Sequence, residues 1–285
     1  MKKSKAVRWF VEIITFFLML LFGIPIFIVF INAAKSNLMI NADPIALPEN
    51  LSVLVANIVK VWEHPNIRFP TSLLSSVVIT VLSVGLLVII SSMAAWVLCR
   101  KKSRLSTVLF LLFVGTMIVP FQVVMLPLVS WFSTIQAKLG IPMLKSYQGI
   151  IFAYMGFGVP LSVFLFHGFI KSVPLELEEA ATIDGCSRGM VFFRIVLPIL
   201  KPIIVTVIVL NGLWIWNDYL LPLILLGLGN PIQTVPLSVS NFVGSFLKKW
   251  DLILTSNLMA MAPMLILFVF VQKYMLKGMV DGAVK

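Results

Sequence analysis

Six stretches of this chain are too long and too apolar to stay in water. They are residues 11–31, 72–99, 105–129, 148–169, 199–226 and 255–271. Each reaches or approaches the ~20 helical residues that cross a hydrocarbon core of about 30 Å. Lipid offers no partner to a backbone N–H or C=O, so each run must satisfy its own backbone as a helix. Composition agrees, with 60% hydrophobic and 12% charged residues, against about 25% charged in soluble domains. The expectation is an all-α integral membrane protein with six transmembrane helices. The first run exceeds the ~7–15 apolar residues of a cleaved signal peptide and reads as a retained span, kinked at Pro25. Residues 32–70 are mixed, with a short interfacial helix over 51–62. Residues 130–147 and 227–254 read as loops, and 273–285 as a short basic tail.

Charge orients the spans. The net charge is +11, and fifteen of the 22 Lys and Arg residues fall on the side of the chain termini, seven on the other. Short basic loops stay in the cytoplasm, so both termini and the segments after the second and fourth spans are expected there. The same asymmetry accounts for the basic balance without nucleic acid. Cys99 and Cys186 are too few for a disulfide framework or a metal site.

The missing chemistry is informative. No Asp, Glu, Lys or Arg lies deep in a span; Glu12, Lys201 and Asp218 sit near ends. Ion-coupled pumps need such buried charges. No phosphate-cradling G-x-x-x-x-G-K is present, nor H-E-x-x-H, C-x-x-C or G-x-S-x-G. His64 and His167 have no ligand partners at metal spacing. The chain reads as a pathway without an engine: no catalytic residue, no metal and no cofactor of its own.

Between the fourth and fifth spans lies a polar knob, residues 179–198. Pro174 suits a first helical turn, and Glu176, Glu178 and Glu179 suit a helix N-terminus. Gly185 ends this helix and Ser187 caps a second one, through Phe192, Phe193 and Ile195 to Pro198. The residues by themselves leave open an ordinary connecting loop or a surface on which a soluble motor pushes.

Their spacing adds a resemblance. Glu179-Ala180-Ala181, three residues, Gly185, nine residues, then Ile195-x-Leu197-Pro198 resembles the EAA motif of ABC importer permeases. Asp184 beside Gly185 is similar to its common D-G form. Trp216-Asn217-Asp218-Tyr219 with Leu221-Pro222-Leu223 looks like the far end of that family's fifth span. Gln272-Lys273-Tyr274, Gly278 and Gly282-Ala283-Val284-Lys285 resemble the C-terminal signature of its carbohydrate importers, of the maltose-transporter-type second-permease branch. The similarity covers 72–285 well and the first span loosely.

The resemblance implies a type I ABC importer permease fold. Residues 1–71 would hold the N-terminal tail, first helix and outer loop, 72–276 the permease core, and 277–285 a cytoplasmic tail. It also implies a multi-pass subunit of the cytoplasmic membrane. Its partners would be a second homologous permease, two ATP-binding subunits and an extracytoplasmic solute-binding protein. Glu179, Ala180, Ala181, Asp184, Gly185, Ile195, Leu197 and Pro198 would form the joint to the ATPase. Gly156, Gly158 and Pro160 admit two readings, a gate in the solute path or close helix packing. Gln233, Asn241 and Trp250 are either contacts for the binding protein or parts of a plain surface loop. The solute is expected to be a sugar or oligosaccharide. The alternatives are glycerol phosphate, a polyamine, or a self-sufficient carrier or channel.

Overall fold

The computed structural model describes residues 5–65, 68–242 and 248–283, and these are helical almost throughout. Lys2 and Lys3 of the basic tail, and Val284 and Lys285 of the C-terminal signature, lie outside the described residues. The Cα atoms gather in two units, Met1–Pro70 with Ser238–Pro263, and Thr71–Leu237 with Met264–Lys285.

The first unit is led by α1 (Lys5–Ala33), with Pro25 inside it. Its large side chains, such as Phe17 and Phe22, are exposed all round the helix, as a lipid-facing span requires. α2 (Asn37–Ala42) and α3 (Ser52–Trp62) follow. A buried polar knot holds them to the end of α1. Asn57, on α3, donates to the carbonyls of Ala33 and Lys35, each at 3.0 Å. Lys35 is 1% exposed, and its ammonium donates to Asn32 Oδ1 at 3.1 Å and the Asp43 carbonyl at 3.2 Å. Thr255 adds a bond to the Ala33 carbonyl at 3.3 Å. Carbonyls freed at the helix end thus meet donors, as buried backbone groups must.

The second unit is built on α4 (Phe69–Arg100), α5 (Arg104–Thr116), α6 (Phe121–Leu139) and α7 (Tyr147–Ile170). The knob comes next, then α11 (Lys201–Asn217) and α12 (Leu220–Leu225). Two apolar clusters hold it together. One gathers Ile79, Leu87, Phe132, Tyr154, Leu221 and Leu237. The other gathers Ala95, Phe166, Ile170, Ala181, Phe192 and Leu200. α13 (Val235–Ser240) and α14 (Trp250–Ala283) complete the chain.

Among the described residues four helices are long and apolar enough to cross a membrane, and two bent pairs raise this to six if each pair counts as one span. The expected unbroken third span is instead α5 and α6, set at 103°. Pro120 cannot extend the preceding helix; it takes an extended conformation and starts α6. The expected loop over 130–147 is largely α6, which continues to Leu139 and closes at Gly140 with φ +68°. Phe132 and Ile135 supply its buried face. The expected fifth span over 199–226 is α11 and α12 with a break at Asp218 and Tyr219, and α11 meets the preceding segment Arg188–Ile199 at 75°. α14 begins at Trp250 inside the expected outer loop and runs on to Ala283 through the expected tail.

α7 runs unbroken through Gly156, Gly158 and Pro160, where the sequence pointed to a weakened helix. Gly156 is exposed, while Gly158 and Pro160 are buried. A Cβ on Gly158 would lie 2.7 Å from Leu87 Cδ1 and 3.0 Å from Asn211 Oδ1, so Gly158 lets α4 and α11 approach α7. The tip of Leu87 can yield to one methyl group. Gly158→Ala should therefore cost about 1 kcal/mol or less, and Gly158→Leu about 3 kcal/mol or more through overpacking. Melting of the detergent-purified protein checks the order; equal midpoints for both variants would contradict this packing.

Candidate functional site: the polar knob and its anchor

The knob is α8 (Glu176–Ile183), a turn, and α9 (Arg188–Met190) leading into a π-helical segment, Val191–Val196. The turn is a Schellman motif. The Cys186 N–H reaches back to the Ala181 carbonyl and the Gly185 N–H to that of Thr182, each at 3.0 Å. Gly185 has φ +85°, a left-handed conformation that favours glycine. Ser187 accepts the N–H of Met190 and caps α9, as its position in the sequence predicts. The π-helical turn has a local cause. Pro198 has no N–H for the Arg194 carbonyl, and the Leu197 N–H bonds five residues back, to Phe192. α10 (Leu197–Ile199) then leads to the bend at Leu200.

One buried ion pair sets how the knob is presented. Glu178 is 7% exposed. Its Oε1 accepts from Arg100 Nε at 2.8 Å and pairs with Arg100 Nη2 at 2.7 Å. Its Oε2 accepts from Trp96 Nε1 at 2.9 Å. Arg100 Nη2 also donates to the Val173 carbonyl, just before α8, at 2.9 Å. Trp96 and Arg100 are four residues apart on α4 and therefore share a face. The Trp96 ring also packs on Phe192, with centroids 5.3 Å apart. Both oxygens of the carboxylate and the Nε and Nη2 groups of the guanidinium are thus used, which offsets the cost of burying most of the pair.

Sequence reasoning chose Glu179 and missed Glu178. A signal existed: Glu178 lies three residues before Ala181, so the two share the face that the structure buries. Arg100 was visible only as one charge in a basic loop. Of the predicted joint residues, Glu179, Ala180, Asp184, Gly185 and Pro198 are exposed. Ala181 is buried against the chain itself, and Ile195 and Leu197 are half-buried. Only Ala180 of the two alanines is placed to leave room for a partner. Around Glu179 the knob exposes Leu175, Leu177 and Phe193, and Ile183 at 86%. An open cleft of about 910 Å3 runs beside it, lined by Trp96, Arg100, Lys101, Glu178, Glu179 and Ile183 among others.

The other predicted sites lie elsewhere. Gln233 is buried, Asn241 is exposed, and Trp250 is half-buried with its N–H on Asn37 Oδ1 at 3.0 Å. Lys248 Nζ sits 5.4 Å from the centre of the Trp250 ring. Beside Gly158, Asn211 Nδ2 donates to Ser162 Oγ at 3.1 Å. Tyr154 donates to Asp218 Oδ2 at 3.0 Å. Both histidines pack on aromatic rings, His64 on Phe242 and His167 on Phe110. No metal-binding group of three His, Cys, Asp or Glu residues occurs among the described residues.

Removing one partner of a largely buried pair strands the other. Glu178→Ala should cost about 2–3 kcal/mol, between the values for exposed and fully buried pairs. Glu179→Ala should stay within about 0.5 kcal/mol, as for an ordinary surface site. Hydrogen exchange over 173–186 reads both; equal protection in the two variants would contradict the anchor.

A family model described as "binding-protein-dependent transport system inner membrane component" matches residues 87–281, which include the whole knob. The chain is 34% identical, over 100% of both chains, to a probable starch degradation products transport system permease of Thermoanaerobacterium thermosulfurigenes. It is 36% identical, over 80% of both chains, to the melibiose/raffinose/stachyose import permease of Bacillus subtilis. Its fold resembles a crystal structure of a bacterial ABC transporter involved in the import of the acidic polysaccharide alginate. The TM-score is 0.76 at 20% identity, covering 95% of this chain and 98% of that one. With apolar spans and a family match over most of its length, this chain belongs to the inner-membrane permeases of binding-protein-dependent ABC transport systems.

Proposed function

We propose that the chain is one of two permease subunits of an importer for sugars or oligosaccharides. ATP is hydrolysed in separate ATP-binding subunits, and an extracytoplasmic protein delivers the solute. The sugar class is supported by relatives named for starch degradation products, for melibiose, raffinose and stachyose, and for arabinooligosaccharides. Both termini and the knob face the cytoplasm in this reading, supported by the excess of Lys and Arg on their side.

The observation that carries the mechanism is the division of labour between adjacent acids. Glu178 is consumed within the chain, while Glu179 is exposed beside Ala180, Ile183 and an open cleft. α8 docks on an ATP-binding subunit, with Glu179 making a charge-assisted hydrogen bond to a basic residue and Ile183 covered by apolar surface. Gly185 fixes the angle between the two arms of the knob. ATP-driven closure of the motor then displaces the knob and, with it, the spans. The polar pair Asn211 and Ser162 beside Gly158 marks the region of α7 assigned to the solute path or its gate. Asn241 and Trp250 face the binding protein.

The charge-assisted bond is worth about 1–3 kcal/mol, roughly 5- to 150-fold in docking affinity. In the reconstituted importer, Glu179→Lys and Gly185→Asp should each lower ATPase stimulation by loaded binding protein at least tenfold. Unchanged assembly and unchanged coupled ATPase in both variants would refute docking through the knob. Uptake of labelled oligosaccharides, glycerol phosphate and a polyamine by the same vesicles separates the solute classes; uptake of a non-sugar alone would refute the sugar assignment.

A further inference from the structure

α4 is joined to the rest of its unit at both ends, and the two joints connect the knob to the start of α13. At one end Arg100 and Trp96 hold Glu178 of α8, and Arg100 holds the Val173 carbonyl. At the other end Ser76 Oγ accepts the backbone N–H of Val235 at 2.8 Å, across 159 residues of sequence. Ser75 and Tyr147 share a hydrogen bond there, also at 2.8 Å. Ser75, Ser76 and Val235 are all buried. The stretch of α4 from Ser76 to Arg100 spans about 36 Å at 1.5 Å per residue, enough to cross a bilayer core.

The other routes away from the knob are less uniform. α7 is unbroken but carries Pro160, which has no backbone N–H to donate within the helix. α11 leaves the knob through the π-helical segment and a 75° bend. α4 has no proline between Ser76 and Arg100. At its middle Leu87 fills the space left by Gly158, so α4 also bears on α7 and α11. A continuous helix resists axial compression far better than a helix interrupted by bends.

We propose that α4 is the transmission rod of this permease, with Trp96, Arg100 and Ser76 as its positioning residues. Displacement of the knob reaches α4 through Glu178. The rod passes it to the backbone of Val235, at the start of α13, and displacement of that residue returns by the same path. The inference rests on the reading of the knob as the contact for the ATP-binding subunit.

The test uses the whole reconstituted importer, with loaded binding protein added outside. Ser76→Ala opens the outer joint without touching the knob. The expected result is about a fivefold loss of binding-protein stimulation, with the basal ATPase rate and retention of the ATP-binding subunit unchanged. Ser76→Cys nearly preserves volume but replaces the oxygen that accepts the Val235 N–H by a weakly accepting sulfur, and it decides the question if Ser76→Ala fails to assemble. Full stimulation in an assembled variant would overturn the rod. Glu179→Lys in the same series keeps the two ideas apart. Loss of the ATP-binding subunit there, alongside full stimulation in Ser76→Ala, would overturn the rod and leave the knob reading standing. Full retention and full stimulation in Glu179→Lys would overturn the knob reading itself.

Discussion

The Arg100–Glu178 pair is the constraint on which the presentation of the knob depends. A carboxylate buried beside apolar residues is costly unless its oxygens are paired, and here the partners come from α4. That requirement fixes the rotation of α8 about its own axis. Successive helical residues point about 100° apart, so burying Glu178 and Ala181 turns Glu179 and Ala180 outward. Glu179 and Ala180 are therefore displayed by the acid that precedes them. The Schellman turn at Gly185 and the ring contact between Trp96 and Phe192 make the two arms of the knob one body with the end of α4.

The spans carry the same logic into the membrane. Irregular backbone at that depth needs internal partners. Bends occur where prolines impose them, at Pro120 and beside Pro198 and Pro202. Where helices must approach, a side chain is missing, as at Gly158 against Leu87. The buried Asn211 side chain is bonded, donating to Ser162 and to the Val207 carbonyl. Lys35 in the first unit follows the rule without an acid partner in its hydrogen bonds, which run to Asn32 and the Asp43 carbonyl.

Much of this was legible in the sequence because hydropathy is local. The first, second, fourth and sixth runs became long helices, and Ser187, Gly185 and the break between them took their expected roles. The bend of the third span was not legible. An apolar count runs through Pro120 and carries no direction, so it cannot separate a mild kink from a turn of 103°. Residues 130–139 looked like a loop because Ser130, Thr134, Gln136 and Lys138 are polar, yet Phe132 and Ile135 between them pack in the core. Glu178 was hidden for a related reason. Its partners lie 78 and 82 residues away, and one sequence does not say which of several basic residues will meet which of several acids. Glycine as a close-approach residue was one of two open readings at 158, and the position of Leu87 beside it could not be read from the sequence.

The central claim is that the knob and the Arg100 end of α4 move as one body when the motor closes. Paired spin labels at Lys101 and Thr182, on an otherwise cysteine-free importer in lipid discs, measure it directly. The predicted result is one distance distribution, unchanged within about 2 Å between nucleotide-free and ATP-trapped complexes, since the buried pair has a single packed arrangement. A label pair from Thr182 to the ATP-binding subunit should shift over the same cycle. A change of several Å between Lys101 and Thr182 on trapping would contradict the account, because the joint at Glu178 would then open when it should transmit.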